Sequence, residues 1–171
     1  LKMMGIEAVK SSTPAPCRDK IKGAMNILMT GNEKMLNTFI QEFREEFMKL
    51  SPEEIAFPRS CNGVKKFAGE SSLFAKGAPI HVKGAILYNH LIKKHKLENK
   101  YPFIQEGEKI KFINLKQPNI YTASAFSFPA EFPKELDILS NIDYDEQFNQ
   151  SFIQPLQVIT EKMNWLIDSS Y

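Results

Sequence analysis

The chain has 171 residues, of which 43% are hydrophobic and 25% charged, with a formal net charge of +2. That content supports one core, or one core and a small subdomain, and excludes a disordered chain. No apolar run approaches the ~20 residues of a membrane-spanning helix. No charged-then-apolar leader precedes a small-residue cleavage site, and Cys17 and Cys61 are isolated in sequence, which fits a reducing cytosol.

Residues 1–13 open as an apolar, strand-like entry that ends in Lys10-Ser11-Ser12-Thr13. A lysine beside hydroxyls at a helix start suits an anion, because free amide groups and the helix dipole add to its charge. Read alone, the string is more simply an ordinary cap, with Thr13 at the N-cap and Pro14 in the first helical position. A helix is predicted over 14–29, with Ile21, Ala24, Met25 and Leu28 on one face. Gly31 suits a left-handed C-cap. A second helix over 33–50 carries an apolar stripe of Met35, Leu36, Phe39, Ile40, Phe43, Phe47 and Leu50, so the two form an antiparallel hairpin. Ser51 with Glu54 has capping-box form, though only a turn can follow.

From there to about residue 130 the texture is short β-like pieces between turns. Strands are expected over 55–57, 81–82, 109–115 and 121–126, and a helix over 84–96. The last forty residues return to helix, over 133–139, 143–153 and 156–167, with Pro155 splitting the last two. The fold class is therefore α+β: a helical base made from both chain ends, with a β-containing basic subdomain inserted between them. Its divisions fall at 14–54 for the hairpin, 55–130 for the basic α/β subdomain and 131–171 for the C-terminal helices.

Charge is unevenly distributed. Residues 1–58 hold eight basic and eight acidic side chains, 59–116 twelve and four, and 117–171 two and eight. A basic middle of this kind is the footprint of a polyanion-binding surface, or else a solvated lysine-rich face. Within it, Arg59-Ser60-Cys61-Asn62-Gly63-Val64-Lys65-Lys66 reads as a loop of phosphate donors. In Lys76-Gly-Ala-Pro-Ile-His81-Val-Lys83-Gly84, His81 and Lys83 would share one face of a strand, and Gly84 would admit a close backbone approach. Stacked aromatics of a base-reading sheet are lacking, so contacts should be sequence-tolerant.

Catalytic patterns are sparse. There is no phosphate-binding glycine loop, no HExxH and no CxxC. His90 and His95, five apart, would point to different sides of a helix, and Asp143, Asp145 and Glu146 stand where carboxylates cap a helix. No catalytic or metal-binding residue is assigned.

The residues also carry a resemblance. Gly5-Ile-Glu7, then Lys10-Ser11-Ser12-Thr13-Pro14, then Ser60-Cys61-Asn62 with Lys66, Pro79-Ile-His81-Val-Lys83-Gly84, Tyr88-Asn89, Glu106-Gly-Glu-Lys109 and Phe152-Ile-Gln-Pro-Leu156 follow one another in order. The ordered set resembles the thumb of T-even-type phage family B DNA-directed DNA polymerases, from roughly Leu1 to Leu156. The resemblance implies a thumb that grips primer–template duplex through its backbone, as a part of a nucleotidyltransferase that is inactive alone. Residues 1–13 would end the palm. Lys10, Ser11, Ser12, Ser60, Lys66, Lys76, Lys83 and Lys109 would touch DNA, and Asn62 and His81 join them as donors. Phe67 stands where the family has tyrosine, and Gln154 where it has lysine. No cofactor is expected in this segment, and Mg2+ is implied for the whole polymerase. The implied partners are the duplex, the palm and fingers, and a sliding clamp reached by a tail beyond Tyr171. A membrane is not among them, and the setting is the cytoplasm of a phage-infected bacterium. The start at Leu1 and the missing palm aspartates suggest a thumb cut at both ends or the product of a split gene. The alternative is a stand-alone, non-sequence-specific nucleic-acid-binding module.

Overall fold

A computed structural model describes residues 12–65 and 77–167. They form two units. One is made from the chain up to Ile55 together with the chain from Tyr144, and the other is the continuous stretch Ala56–Asp143.

The first unit is helical. Helix α1 (Ala15–Thr30) buries Cys17, Ile21, Ala24, Met25 and Leu28, the expected face. Its cap differs from expectation. Pro14 occupies the N-cap with no side-chain bond, and Pro16 lies in the first turn, where no amide hydrogen is required. At the other end Gly31 is extended (φ −115°) rather than left-handed. Asn32 begins the next helix instead, its side chain accepting from the Met35 amide at 2.9 Å.

Helix α2 (Glu33–Phe47) ends three residues earlier than its apolar stripe suggests. It buries Leu36, Ile40, Phe43 and Phe47, while Met35 is half exposed. Ser51 then starts the single-turn α3 (Pro52–Ile55), with the Glu54 carboxylate accepting from the Ser51 hydroxyl at 3.0 Å and amide at 3.3 Å.

The returning chain supplies α5 (Tyr144–Phe148), a π-helical turn (Asn149–Ile153) and α6 (Gln154–Lys162). Pro155 was expected to split this region, yet the helix runs on. In the π turn the Gln154 amide reaches back five residues to the Asn149 carbonyl. Pro155 thereby falls in the first turn of α6, where its missing donor costs least. Phe43 packs against Phe47, Phe148 and Phe152, with ring centroids 4.9–5.9 Å apart. Two buried polar side chains there are satisfied: Gln147 donates to the Ile55 carbonyl at 2.7 Å and Ser151 to the Gln147 carbonyl at 2.6 Å.

The second unit holds a three-stranded antiparallel sheet, β1 (Phe57–Ser60), β2 (Lys109–Asn114) and β3 (Ala125–Phe128), in that order. Helix α4 (Ile80–Lys94) connects β1 to β2 and packs along β3. The expected strand at 81–82 is in fact the first turn of α4, and the helix begins at Ile80 rather than at 84. Gly84 makes that packing possible: a Cβ there would lie 2.5 Å from Ser127 Oγ and 2.7 Å from the Ser127 amide nitrogen. Its close approach is to this unit's own strand.

The last strand starts at Ala125, later than the expected 121, because Asn119 holds the preceding residues in a turn. Its side chain donates to the Lys116 and Ala123 carbonyls and accepts from the Tyr121 amide. Instead of the helix expected over 133–139, residues 133–138 form turns and a bend, followed by a 3-10 turn at Leu139–Asn141. Tyr88, Phe126, Phe128 and Phe132 fill the core, and the Tyr88 hydroxyl donates to the Pro102 carbonyl. Asn89 pairs with both backbone groups of Ile104. Tyr88 and Asn89 therefore fix the segment after α4. No described helix is long and apolar enough to cross a membrane.

Candidate nucleic-acid interface

The unit Ala56–Asp143 contains thirteen basic and eight acidic residues, so the positive charge belongs to one folded body. Ser60 ends β1 and Lys109 begins β2, and the two are direct partners in the ladder. Cross-strand partners place their side chains on the same face, and Lys111, two residues on, shares it. Sequence reasoning had put Arg59 and Ser60 in a loop and had not named Lys111. The i, i+2 spacing of two lysines on a half-buried strand was the available signal.

Arg59 points to the other face. Its guanidinium lies 5.7 Å from the Phe57 ring centroid and 5.3 Å from that of Phe112, and it donates to the Pro58 carbonyl at 2.7 Å. Burial lowers its pKa, though a guanidinium remains charged.

Beyond Ser60 the chain continues beside the 105–108 turn. The Cys61 amide donates to the Glu108 carbonyl at 2.8 Å and the Gly107 amide to the Cys61 carbonyl at 2.7 Å. Gly107 adopts φ 80°, which this tight return requires. Asn62 is exposed. The Gly63 amide, in the loop read as a run of phosphate donors, is taken by the Glu106 carboxylate at 2.6 Å. Burial, with Glu106 and Glu108 adding to it, pushes the Cys61 thiol up to about 11, so it is no nucleophile at neutral pH. Burial raises Cys17 likewise to about 11.

His81 stands in the first turn of α4, its ring 6.3 Å from that of Phe112 and hydrogen-bonded to the Ser60 backbone. Burial lowers its pKa, the Arg59 charge lowers it further, and the Ser60 bond opposes both. At neutral pH His81 is a neutral donor that braces the end of β1. On a helix, residues two apart diverge by about 200°, so His81 and Lys83 do not share a face. Lys83 is half-buried and already engaged.

The His81 environment fixes a pH response. Its folded pKa lies below the unfolded value, so the unfolded chain takes up this proton first. The stability is present above about pH 6.5 and is lost as pH falls through the folded value. Urea midpoints should fall further between about pH 7.5 and pH 5 for the wild type than for His81→Gln. Equal falls would place the acid sensitivity elsewhere.

The structure thus brings Ser60, Asn62, His81 and Lys109 to one end of the sheet. Ser12 belongs to the helical unit, half-buried before α1 and already engaged. Lys10, Ser11, Lys66 and Lys76 lie outside the described residues, as does the entry strand up to residue 11. Among the described residues no three His, Cys, Asp or Glu side chains are grouped to hold a metal ion.

The fold and its charge define an α+β protein with a cation-rich inserted unit. No protein-family model matches the chain. It is similar to the DNA-directed DNA polymerase of Enterobacteria phage T4, at 26% identity over 165 residues, which are 94% of this chain and 18% of that protein. It is similar also to the DNA-directed DNA polymerase of Escherichia phage RB69, at 29% identity over 165 residues and the same shares. The resemblance to T-even-type phage polymerases read from the motifs is borne out along nearly the whole chain. The chain spans about a fifth of the length of these relatives.

Proposed function

We propose that this chain is the thumb portion of a T-even-type phage DNA-directed DNA polymerase. It grips newly made primer–template duplex through the sugar–phosphate backbone and so sets processivity. The observation that carries the reading is the similarity to two such polymerases over 94% of the chain. The cation-rich inserted unit, with Ser60 and Lys109 side by side, supports it. In this reading residues up to about 13 lead in from the palm, whose carboxylates hold the Mg2+ that assists phosphoryl transfer. A sliding clamp docks through sequence following the thumb, and the setting is the cytoplasm of an infected bacterium. Lys10, Ser11, Ser12, Ser60, Asn62, Lys66, Lys76, Lys83 and Lys109 are the proposed contacts, with His81 positioning Ser60.

Binding of the chain to random-sequence duplex should depend steeply on salt. About six phosphate contacts give a slope of log K against log[salt] near −5. Lys66→Ala with Lys109→Ala should weaken binding equally on all sequences and shallow the slope by about two. A flat salt response removes the reading. Primer extension should appear when a polypeptide carrying the palm and fingers is added, and not with the chain alone. Duplex binding with no extension in the mixture would favour a stand-alone binding module.

A further inference from the structure

The C-terminal half of α4 borders a cleft of about 440 Å³ in the inserted unit. That is within the ~300–1,000 Å³ of ordinary ligand sites. Leu87 and Leu91 line it, with Tyr121 and Ile120 from the loop after β2. The loop is preorganised: Asn119 uses both ends of its amide on the surrounding backbone, and the Tyr121 hydroxyl donates to the Asp137 carbonyl at 3.3 Å. Ile120 is nevertheless 86% exposed, the most exposed large apolar side chain among the described residues. A fixed loop that holds an isoleucine in water beside a cleft leaves that surface to a partner.

The charges say which partner. Lys94, His90 and His95 line the cleft, and exposed Lys93 and Lys96 adjoin Lys94 and His95 in sequence. The two histidines were expected on different sides. His95 still donates its amide to the Leu91 carbonyl at 2.9 Å, so the two histidines do diverge by about 140°, and they border the two sides of one cleft with Leu91 and Lys94 between them. Among the described residues none of Lys93, Lys94 and Lys96 pairs with a carboxylate. Across the cleft, the Glu135 carboxylate is occupied by the Tyr101 hydroxyl at 2.6 Å and by Lys100 at 2.9 Å. Asp137 lines the same wall. The cleft thus has Lys94 at its edge with two more exposed lysines beside it in sequence, an apolar lining with one aromatic ring, and an acidic far wall.

We propose that this cleft binds single-stranded nucleic acid. A base enters against Tyr121 and Ile120, and the adjoining phosphates lie on Lys93, Lys94 and Lys96. The acidic wall turns the backbone towards the lysines. A duplex, with its bases stacked inside, has none to insert. Stacking on an aromatic with a basic track alongside is how sequence-tolerant single-strand sites work. The Ser60–Lys109 end lies by the first turn of α4, and the 15-residue helix spans about 22 Å, so the two surfaces are separate.

The test is fluorescence anisotropy of the full chain with a labelled oligothymidylate, an abasic strand of equal length, a blunt duplex and poly-glutamate. The oligothymidylate should bind about tenfold more tightly than the abasic strand. Replacing Lys93, Lys94 and Lys96 with alanine should remove that binding and shallow its salt slope by about two. Ile120→Asp, at an exposed position that the fold does not need, should weaken it several-fold. Duplex affinity should hold in both variants. Equal binding of the abasic strand, equal binding of poly-glutamate, or parallel loss of duplex binding would each overturn the proposal. Lys66→Ala with Lys109→Ala should leave oligothymidylate binding intact, so failure of the duplex-gripping reading and failure of this one are separable.

Discussion

Replacing Phe43 with alanine is expected to lower the stability of the helical unit by about 3–5 kcal/mol, the range for removing a buried phenylalanine. Phe43 is 2% exposed and touches three rings, one from its own helix and two from the returning chain. Those neighbours are helix-borne and also pack on one another, with Phe47–Phe148 centroids 5.2 Å apart and Phe148–Phe152 centroids 5.4 Å apart. The ring cluster therefore resists collapse into the space left, and the cavity term adds to the lost transfer energy. Against a typical domain stability of about 5–15 kcal/mol, the loss is a third or more. Trp165 is the chain's only tryptophan and belongs to this unit, so urea titration followed by its fluorescence reads the effect directly. A shift under about 1 kcal/mol would mean that Phe148 and Phe152 relax into the gap.

Gly84→Ala should be the costliest single-methyl change in the inserted unit, with a net loss of about 2 kcal/mol. Alanine gains up to about 1 kcal/mol of helix propensity. Overpacking opposes it by about 1–3 kcal/mol, and here by the upper end. The new Cβ would meet the Ser127 amide nitrogen at 2.7 Å and the Phe126 carbonyl carbon at 3.0 Å, backbone atoms that no rotamer change can move. Helix α4 must then lift from β3. The lift strains the 2.8 Å bond from Ser127 Oγ to the His81 carbonyl, and with it the bracing of Ser60. Hydrogen exchange over 80–94 and 125–128 should accelerate, and duplex binding should weaken. Ser127→Gly alongside Gly84→Ala relieves only the hydroxyl contact at 2.5 Å, so it should restore stability in part. Unchanged exchange would show that the helix and strand separate without strain.

What was legible in the sequence was local. The stripes Ile21–Leu28 and Leu36–Phe47 announce α1 and α2, because a helix repeats its buried face every three to four residues. The stretch Lys109–Asn114 could likewise be read as a strand from its alternation. The start of α4 could not. Pro79-Ile-His-Val-Lys-Gly84 combines β-branched residues with a helix breaker, and only contact with Ser127, more than forty residues away, turns Gly84 into an asset. Pro155 misled in the same way, since a π turn five residues deep leaves no mark in composition. For the interface, residue types pointed to phosphate, but the pairing of Ser60 with Lys109 spans forty-nine positions and is fixed by strand register. Glu106 stood out only as the start of the Glu106-Gly-Glu-Lys109 motif, and its capture of the Gly63 amide needed coordinates.

The helical unit is discontinuous in sequence, and that has a consequence for the order of assembly. During synthesis, Ala56–Asp143 emerges whole and can close on contacts of its own. Helices α1 and α2 emerge earlier yet must wait for Phe148 and Phe152, about a hundred residues later, before Phe43 and Phe47 are covered. A nascent chain stopped near residue 143 would carry a finished inserted unit and two bare phenylalanines. That interval, set by how long the ribosome takes to deliver α5, is when this chain most needs a chaperone.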